Sequence, residues 1–181
     1  MLRPWFLQCG RELQVGAQQV LLRAGEVARH LYLIEAGAAR LCARSADGAE
    51  TSVQFFFEGD MVSSVESMVS GCPSGLDLIT MEPCRLRLIH RDAVLARLRA
   101  DADFQAHLLA FTQRRLIDYV RLYTSAIAET PTQRYLGLLA SQGERVARIP
   151  KHVLASFLGV TPVHLSRIRR QLKASQSLPA T

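Results

Sequence analysis

Residues 151–170, KHVLASFLGVTPVHLSRIRR, constrain this chain more than any other segment, because their residue types fit two short helices crossing at close range through a tight turn. Counted from Lys151, the fifth position must be small where the helices cross, and it is Ala155. The ninth must accept a positive φ, and it is Gly159. The fourth, eighth, tenth, fifteenth and eighteenth must be apolar, and they are Leu154, Leu158, Val160, Leu165 and Ile168. Thr161 suits an N-cap and Pro162 the first helical position, so the second helix has a defined start. The spacing predicts a helix-turn-helix.

The second helix would bury Leu165, Ile168 and Leu172 and leave Val163, His164, Ser166, Arg167, Arg169, Arg170 and Lys173 off that stripe. A helix with a presented N-terminus and cations along one flank can enter the major groove of double-stranded DNA. Arg167, about one turn in, is the residue expected to read a base, since Arg bidentate to guanine is the commonest specific contact. His164, Ser166, Arg170 and Lys173 are expected to hold phosphates. Charge supports the same partner. Residues 1–130 carry 14 Lys and Arg against 15 Asp and Glu, a net of −1, while residues 131–181 carry 8 against the single Glu144, a net of +7. All of the excess positive charge sits beside the motif, as a polyanion partner requires.

Ahead of it, glycines recur at Gly16, Gly25, Gly37, Gly48, Gly59 and Gly71, the signature of short strands with evenly spaced turns. Gln19–Arg23, Leu31–Glu35, Ala38–Ala43, Thr51–Phe57, Leu76–Met81 and Cys84–Ile89 are apolar, partly alternating and of strand length. Ala46-Asp47-Gly48 marks a hairpin turn. An antiparallel β-roll of about eight strands is expected over this half.

From Asp92 to Glu129 there is no Gly or Pro, which favours helix, with Asp92 as a cap and Asp101-Ala102-Asp103 as a break and restart. In the longer helix Leu109, Leu116 and Tyr123 fall seven apart, with Val120 and Ile127 at the alternating position and Gln113 as its polar member. That seam predicts pairing with a second copy of the chain, and packing on its own domain is the alternative. Thr130-Pro131 should end this helix and cap the next. Ser141–Glu144 is expected as a loop, Arg145–Ile149 as a short strand, and Ser175–Thr181 as a frayed tail.

Several classes are disfavoured. No apolar stretch reaches the roughly 20 residues that cross a bilayer, and Met1–Trp5 lacks a signal core, so no membrane partner and a cytoplasmic location are expected. Cys9, Cys42, Cys72 and Cys84 stand far apart without metal-ligand spacing, so neither a metal site nor a disulfide is expected. The five histidines are scattered and no nucleophile is tied to a base by motif, so no catalytic residue is assigned.

The segment LLRAGEVARHLYLIEAGAARL, with Gly25-Glu26, Tyr32-Leu33-Ile34 and Gly37, the segment FFFEGDMV with Gly59-Asp60, and LASFLGVTPVHLSRIRRQL together resemble the Crp/Fnr superfamily of regulators, from about Leu13 to Lys173. The resemblance implies an α+β chain with three parts. These are a cyclic-nucleotide-binding-like jelly roll (1–100), a long dimerisation helix (101–129) and a helix-turn-helix domain (130–181). It implies a homodimer on a two-fold operator, gated by a small-molecule effector and acting with RNA polymerase. The family holds a cyclic nucleotide through a Gly-Glu pair and an Arg. The corresponding positions here are Ser63, Ser64 and Ser74, with Glu66 as the acidic candidate, and no Arg or Lys lies between Arg44 and Arg85. A cyclic nucleotide is thus a candidate effector whose phosphate-binding Arg is absent. Of the family's three base-reading positions, two hold Pro162 and Val163 and only Arg167 keeps the Arg. Val163 could touch a thymine methyl. Little chain follows Lys173, so a full β-hairpin wing is not expected. The competing class is a small-molecule sensor with a vestigial DNA-binding domain.

Overall fold

In the computed structural model, which describes residues 2–176, the glycine-punctuated half forms eight strands. They are β1 (Arg11–Val15), β2 (Val20–Leu22), β3 (His30–Ala36), β4 (Ala39–Arg44), β5 (Glu50–Phe56), β6 (Met61–Val62), β7 (Asp77–Thr80) and β8 (Cys84–His90). Two four-stranded antiparallel sheets result, ordered β1-β8-β3-β6 and β2-β7-β4-β5. Between them Leu22, Ile34, Leu41, Phe56, Leu78 and Leu86 form the main core, with contributions from both sheets. The fold is the expected jelly roll with helices.

The strands answer to simple rules. Asp47-Gly48 turns β4 into β5, Gly48 taking φ 83° and donating its N–H to the Ser45 carbonyl. At Gly37, φ is 97° and a Cβ would meet the Pro83 carbonyl oxygen at 2.5 Å, so no larger residue fits beside the start of β8. Leu31 to Ile34 is apolar without alternation because β3 is covered on both faces: Tyr32 and Ile34 join the inter-sheet core, Leu31 and Leu33 a second cluster outside it.

That outer cluster is capped by helices. α1 (Leu2–Cys9), unassigned from sequence, inserts Trp5 and Phe6. α2 (Val65–Ser70) adds Met68, α3 (Arg91–Ala100) adds Val94, and the first turn of α4 (Ala102–Ala128) adds Phe104. The cap of α3 is not Asp92, as expected, but His90, whose Nδ1 accepts from the Asp92 N–H at 3.3 Å. Asp101 separates α3 from α4 where the break was expected. Its Oδ1 accepts from the Phe104 N–H at 2.9 Å, and that bond, with Arg97, holds its carboxyl below the usual range.

The chain divides into compact units at Met1–Arg121 and Leu122–Thr181, α4 running through the boundary as one 27-residue helix. The second unit contains α5 (Pro131–Gln142), a 3₁₀ helix (Gly143–Arg148), α6 (Lys151–Leu158) and α7 (Pro162–Gln176). Thr130 and Gln133 make the reciprocal capping box that starts α5. The expected loop at Ser141–Glu144 and strand at Arg145–Ile149 are both absent: α5 continues to Gln142 and the 3₁₀ helix follows. Val146 and Ile149 lie three apart and are both buried, the period of a 3₁₀ turn and not of a strand. Pro150 then holds Ile149 extended, at φ −76° and ψ 122°, and opens α6. No strand follows α7 among the described residues, and residues 177–181 of the expected tail lie outside them.

Candidate nucleic-acid interface

The turn between α6 and α7 is built by the residues that the motif required. Gly159 sits at φ 65°, ψ 34°, and the Val160 N–H reaches back to the Ala155 carbonyl at 3.0 Å, closing a left-handed helix end. Leu154, Ala155, Leu158, Leu165 and Ile168 are all at most 1% exposed, so the two helices meet through a dry contact. Arg134 of α5 donates to the Leu158 carbonyl, satisfying an orphan acceptor at the end of α6. Thr161 caps α7, its Oγ1 accepting from the His164 N–H at 3.2 Å.

What α7 presents is the remainder. Thr161, Pro162, Val163, His164, Arg167, Arg170 and Lys173 are exposed, Val163 to 73%. No ion pair among the described residues engages Arg167 or Arg170, so their guanidinium groups are available to a ligand. Ser166 differs. It is half-buried and its hydroxyl donates to the Pro162 carbonyl at 3.0 Å, so in this rotamer it has no proton to give a phosphate. Arg169 also differs, its Nε donating to the Tyr135 hydroxyl at 3.1 Å. Lys151 and Arg145 of the second unit are exposed cationic groups as well.

The expected pairing stripe of α4 lies open. Leu109, Leu116, Val120, Tyr123 and Ile127 are between 56% and 70% exposed, and Ile117 beside them is exposed too. So long an exposed apolar face is a candidate interaction surface.

Around α2, the serines are engaged in holding the chain. Ser63 donates to the His30 carbonyl at 2.8 Å, and Ser67 accepts from the Ala28 N–H at 2.8 Å. The Ser74 hydroxyl donates to the Leu76 carbonyl at 2.8 Å and accepts from the Leu76 N–H at 3.1 Å. Ser64 occupies the N-cap position of α2 without a side-chain cap bond, and Glu66 is exposed in the first turn. The cation that reaches α2 is Arg91, and its guanidinium is committed to the Met68 and Val69 carbonyls at 2.6 and 3.3 Å. These residues do not fit the phosphodiester of a cyclic nucleotide: they offer it no free cation, and Leu22, Leu41 and Phe56 fill the interior.

A link missed from sequence ties the roll to α4. Arg115 donates to the Gln54 Oε1 at 2.8 Å and lies 4.9 Å from the centre of the Phe56 ring. Its partners are 61 and 59 residues away along the chain, a separation that leaves no local signal.

Comparison with known proteins agrees with this architecture. Residues 12–101 match the cyclic nucleotide-binding domain family. The fold is similar to FixK2 from Bradyrhizobium japonicum, at TM-score 0.84 and 20% identity, over 95% of this chain and 88% of that one. It is similar to the c-di-GMP responsive global regulator CLP of Xanthomonas campestris, at TM-score 0.73 and 18% identity, over 99% and 94%. It is also similar to the catabolite activator protein of Thermus thermophilus, at TM-score 0.53 and 20% identity, over 99% and 85%. No curated protein is matched in sequence.

Proposed function

Because residues 12–101 match the cyclic nucleotide-binding domain family and the fold is similar to those of FixK2 and CLP, we propose that this protein is a DNA-binding transcriptional regulator of the Crp/Fnr type acting as a homodimer. The observation that carries the reading is the face of α7. Leu165 and Ile168 are buried while Val163, Arg167 and Arg170 are exposed, and no ion pair among the described residues engages either arginine.

In this reading α7 enters the major groove from its N-terminal end. Arg167 donates two hydrogen bonds to O6 and N7 of a guanine, and Val163 meets a thymine methyl. Thr161, His164, Arg170 and Lys173 hold phosphates, with the backbone around Pro162 at the helix start approaching the strand. Ser166 joins them only after its hydroxyl turns away from the Pro162 carbonyl. Two copies pair along Leu109, Leu116, Val120, Tyr123 and Ile127, and the two-fold operator has half-sites about one DNA turn, roughly 34 Å, apart. Functionally, residues 1–100 sense, 101–129 pair and 130–181 bind DNA. RNA polymerase is the downstream partner, the chain works where the chromosome is, and no catalytic step is assigned.

Any signal arriving in the roll has a route to α4 through the Arg115 contact with Gln54 and Phe56. A cyclic nucleotide is a poor candidate for that signal, since Ser63, Ser64, Glu66 and Ser74 give its phosphate no cation. The intact α6–α7 scaffold, with Ala155 buried at the crossing and Gly159 at positive φ, weighs against a vestigial DNA-binding domain.

Selection from a random duplex library by the full chain tests the proposal. An enriched two-fold sequence whose binding weakens with salt supports it, and absence of duplex binding at low salt overturns it.

A further inference from the structure

One cleft of the first unit involves no residue of α2. It is a groove of about 690 Å³ between α1, β8 and α3, a size that accommodates a small organic molecule. Its walls are apolar: the Trp5 indole on one side, Ile89 below, and Ala93 and Ala96 on the exposed face of α3. Ala93 and Ala96 are three apart on one helix, and their small side chains are what keep the groove open.

Its charged and imidazole side chains are Arg11, His30, His90 and Arg97, with the Cys9 thiol beside them. Arg11 stands at the rim, exposed, and none of the ion pairs among the described residues uses it. His30 and His90 are paired across β3 and β8, their rings 5.3 Å apart. Arg97 lines the groove with its guanidinium 5.2 Å from the Trp5 ring centre, and its Nε is buried without a hydrogen-bond partner. No carboxylate is among the lining residues; Asp92 and Asp101, which pair with His90 and Arg97, stand outside it. Arg11 alone of these cations has no such partner among the described residues, so the trough joins apolar walls to one available cation, which is complementary to an organic anion.

We propose that this groove binds an amphipathic organic acid, its hydrocarbon or aryl body against Trp5 and Ile89 and its carboxylate between Arg11 and His30. The occupant is a free small acid, which a volume of about 690 Å³ accommodates. The electrostatics favour it. Burial, and then the charges of His90, Arg11 and Arg29, hold the His30 imidazole below its ordinary value, and the positive field of Arg11 and Arg29 is the part of this that an anion would relieve. All the residues that line the groove belong to the first unit, and the proposal is independent of any reading of α7.

Trp5 is the single tryptophan of the chain, so its emission reports on this groove alone. The full chain, without DNA, is titrated with octanoate and with 4-phenylbutyrate, and with octanamide as the uncharged control. The expected result is a saturable change in emission with either acid, about tenfold weaker binding of the amide, and a similar loss for the acids in Arg11→Gln. Arg11 is exposed and unpaired, so this variant folds. Ala96→Phe, which fills the groove, should abolish the change. Equal binding of octanamide, unchanged acid affinity in Arg11→Gln, or no saturable response to either acid overturns the proposal. A chain that binds DNA but fails these titrations leaves the regulator reading standing, and the reverse result separates the two equally well.

Discussion

The Nε of Arg169 donates to the hydroxyl of Tyr135 across 3.1 Å, with the guanidinium 5.6 Å from the ring centre, so one of the cations of α7 is turned toward α5 while Arg167 faces away. Two arginines separated by two positions therefore do different work. Arg167→Ala should leave the unfolding midpoint unchanged and lower affinity for the selected duplex by about tenfold or more, the worth of one bidentate base contact. Arg169→Ala should lower stability by about 1 kcal/mol, the worth of one hydrogen bond and a partly exposed stacking contact, and should leave sequence preference unchanged. Fluorescence anisotropy and urea denaturation on both variants separate the roles. If Arg169→Ala relaxes sequence preference while Arg167→Ala does not, the facing of α7 is reversed.

Gly159 makes a second, sharper case. Its φ of 65° lies where a Cβ is disfavoured, yet the nearest atom to a Cβ built there is Arg134 Nη2 at 3.6 Å, an ordinary contact. The cost of Gly159→Ala is therefore conformational and not steric, about 1 to 2 kcal/mol. Gly159→Asn, a residue that tolerates this region, should recover most of it. Denaturation midpoints in the order Gly, Asn, Ala would bear this out, and equal midpoints for Asn and Ala would refute it.

How far the sequence anticipated the molecule depended on the range of the signal. The α6–α7 pair was legible position by position because its constraints are local and stereochemical, from Ala155 to Ile168. The roll was legible as strands because Gly37 and Gly48 mark where turns need positive φ. Arg145–Ile149 was misread since apolar residues three apart look like strand ends unless the 3₁₀ period is considered. Trp5 and Phe6 on α1 left too short a pattern to distinguish a helix from a loop. Arg115 over Phe56 had no signature at all, because nothing near either residue records a partner some 60 positions away. Arg169 was legible in hindsight: it flanks the stripe of Leu165, Ile168 and Leu172, which places it beside the buried face.

The apolar face of α4 yields a third prediction. Leu116 is 62% exposed and Tyr123 70%, one heptad apart on a helix with no strand or helix of the described chain over them. Leu116→Glu introduces a charge at the centre of the proposed seam without disturbing the roll core. Sedimentation equilibrium should find dimer for the parent chain and monomer for Leu116→Glu, with affinity for a two-fold duplex reduced by far more than for a half-site. The thermal midpoint of the roll should hardly change. A monomeric parent chain, or a variant that still sediments as a dimer, would count against pairing through α4.

The His30–His90 pair makes stability respond to mild acid. Burial lowers the pKa of His30 from its ordinary 6.5, and His90, Arg11 and Arg29 lower it further. The folded chain thus takes up this proton less readily than the unfolded chain. Above pH 6.5 the imidazole is neutral in both states and contributes nothing. As pH falls below 6.5 the unfolded chain gains the proton first, so stability declines until the folded-state pKa is passed and then levels off. Glu35 acts lower on the scale: hydrogen bonding to Arg87 holds its carboxyl below the usual range, so its contribution is lost only as pH falls beneath about 4.5, the ordinary value. Urea midpoints between pH 7.5 and 5.0 isolate the histidine. Over that interval the parent chain should lose stability, and His30→Gln, which keeps a polar group of similar length without the titration, should lose measurably less. Equal slopes for the two would mean that the charge around His30 is relieved by movement of Arg11 and Arg29, both exposed, before it can act on the fold.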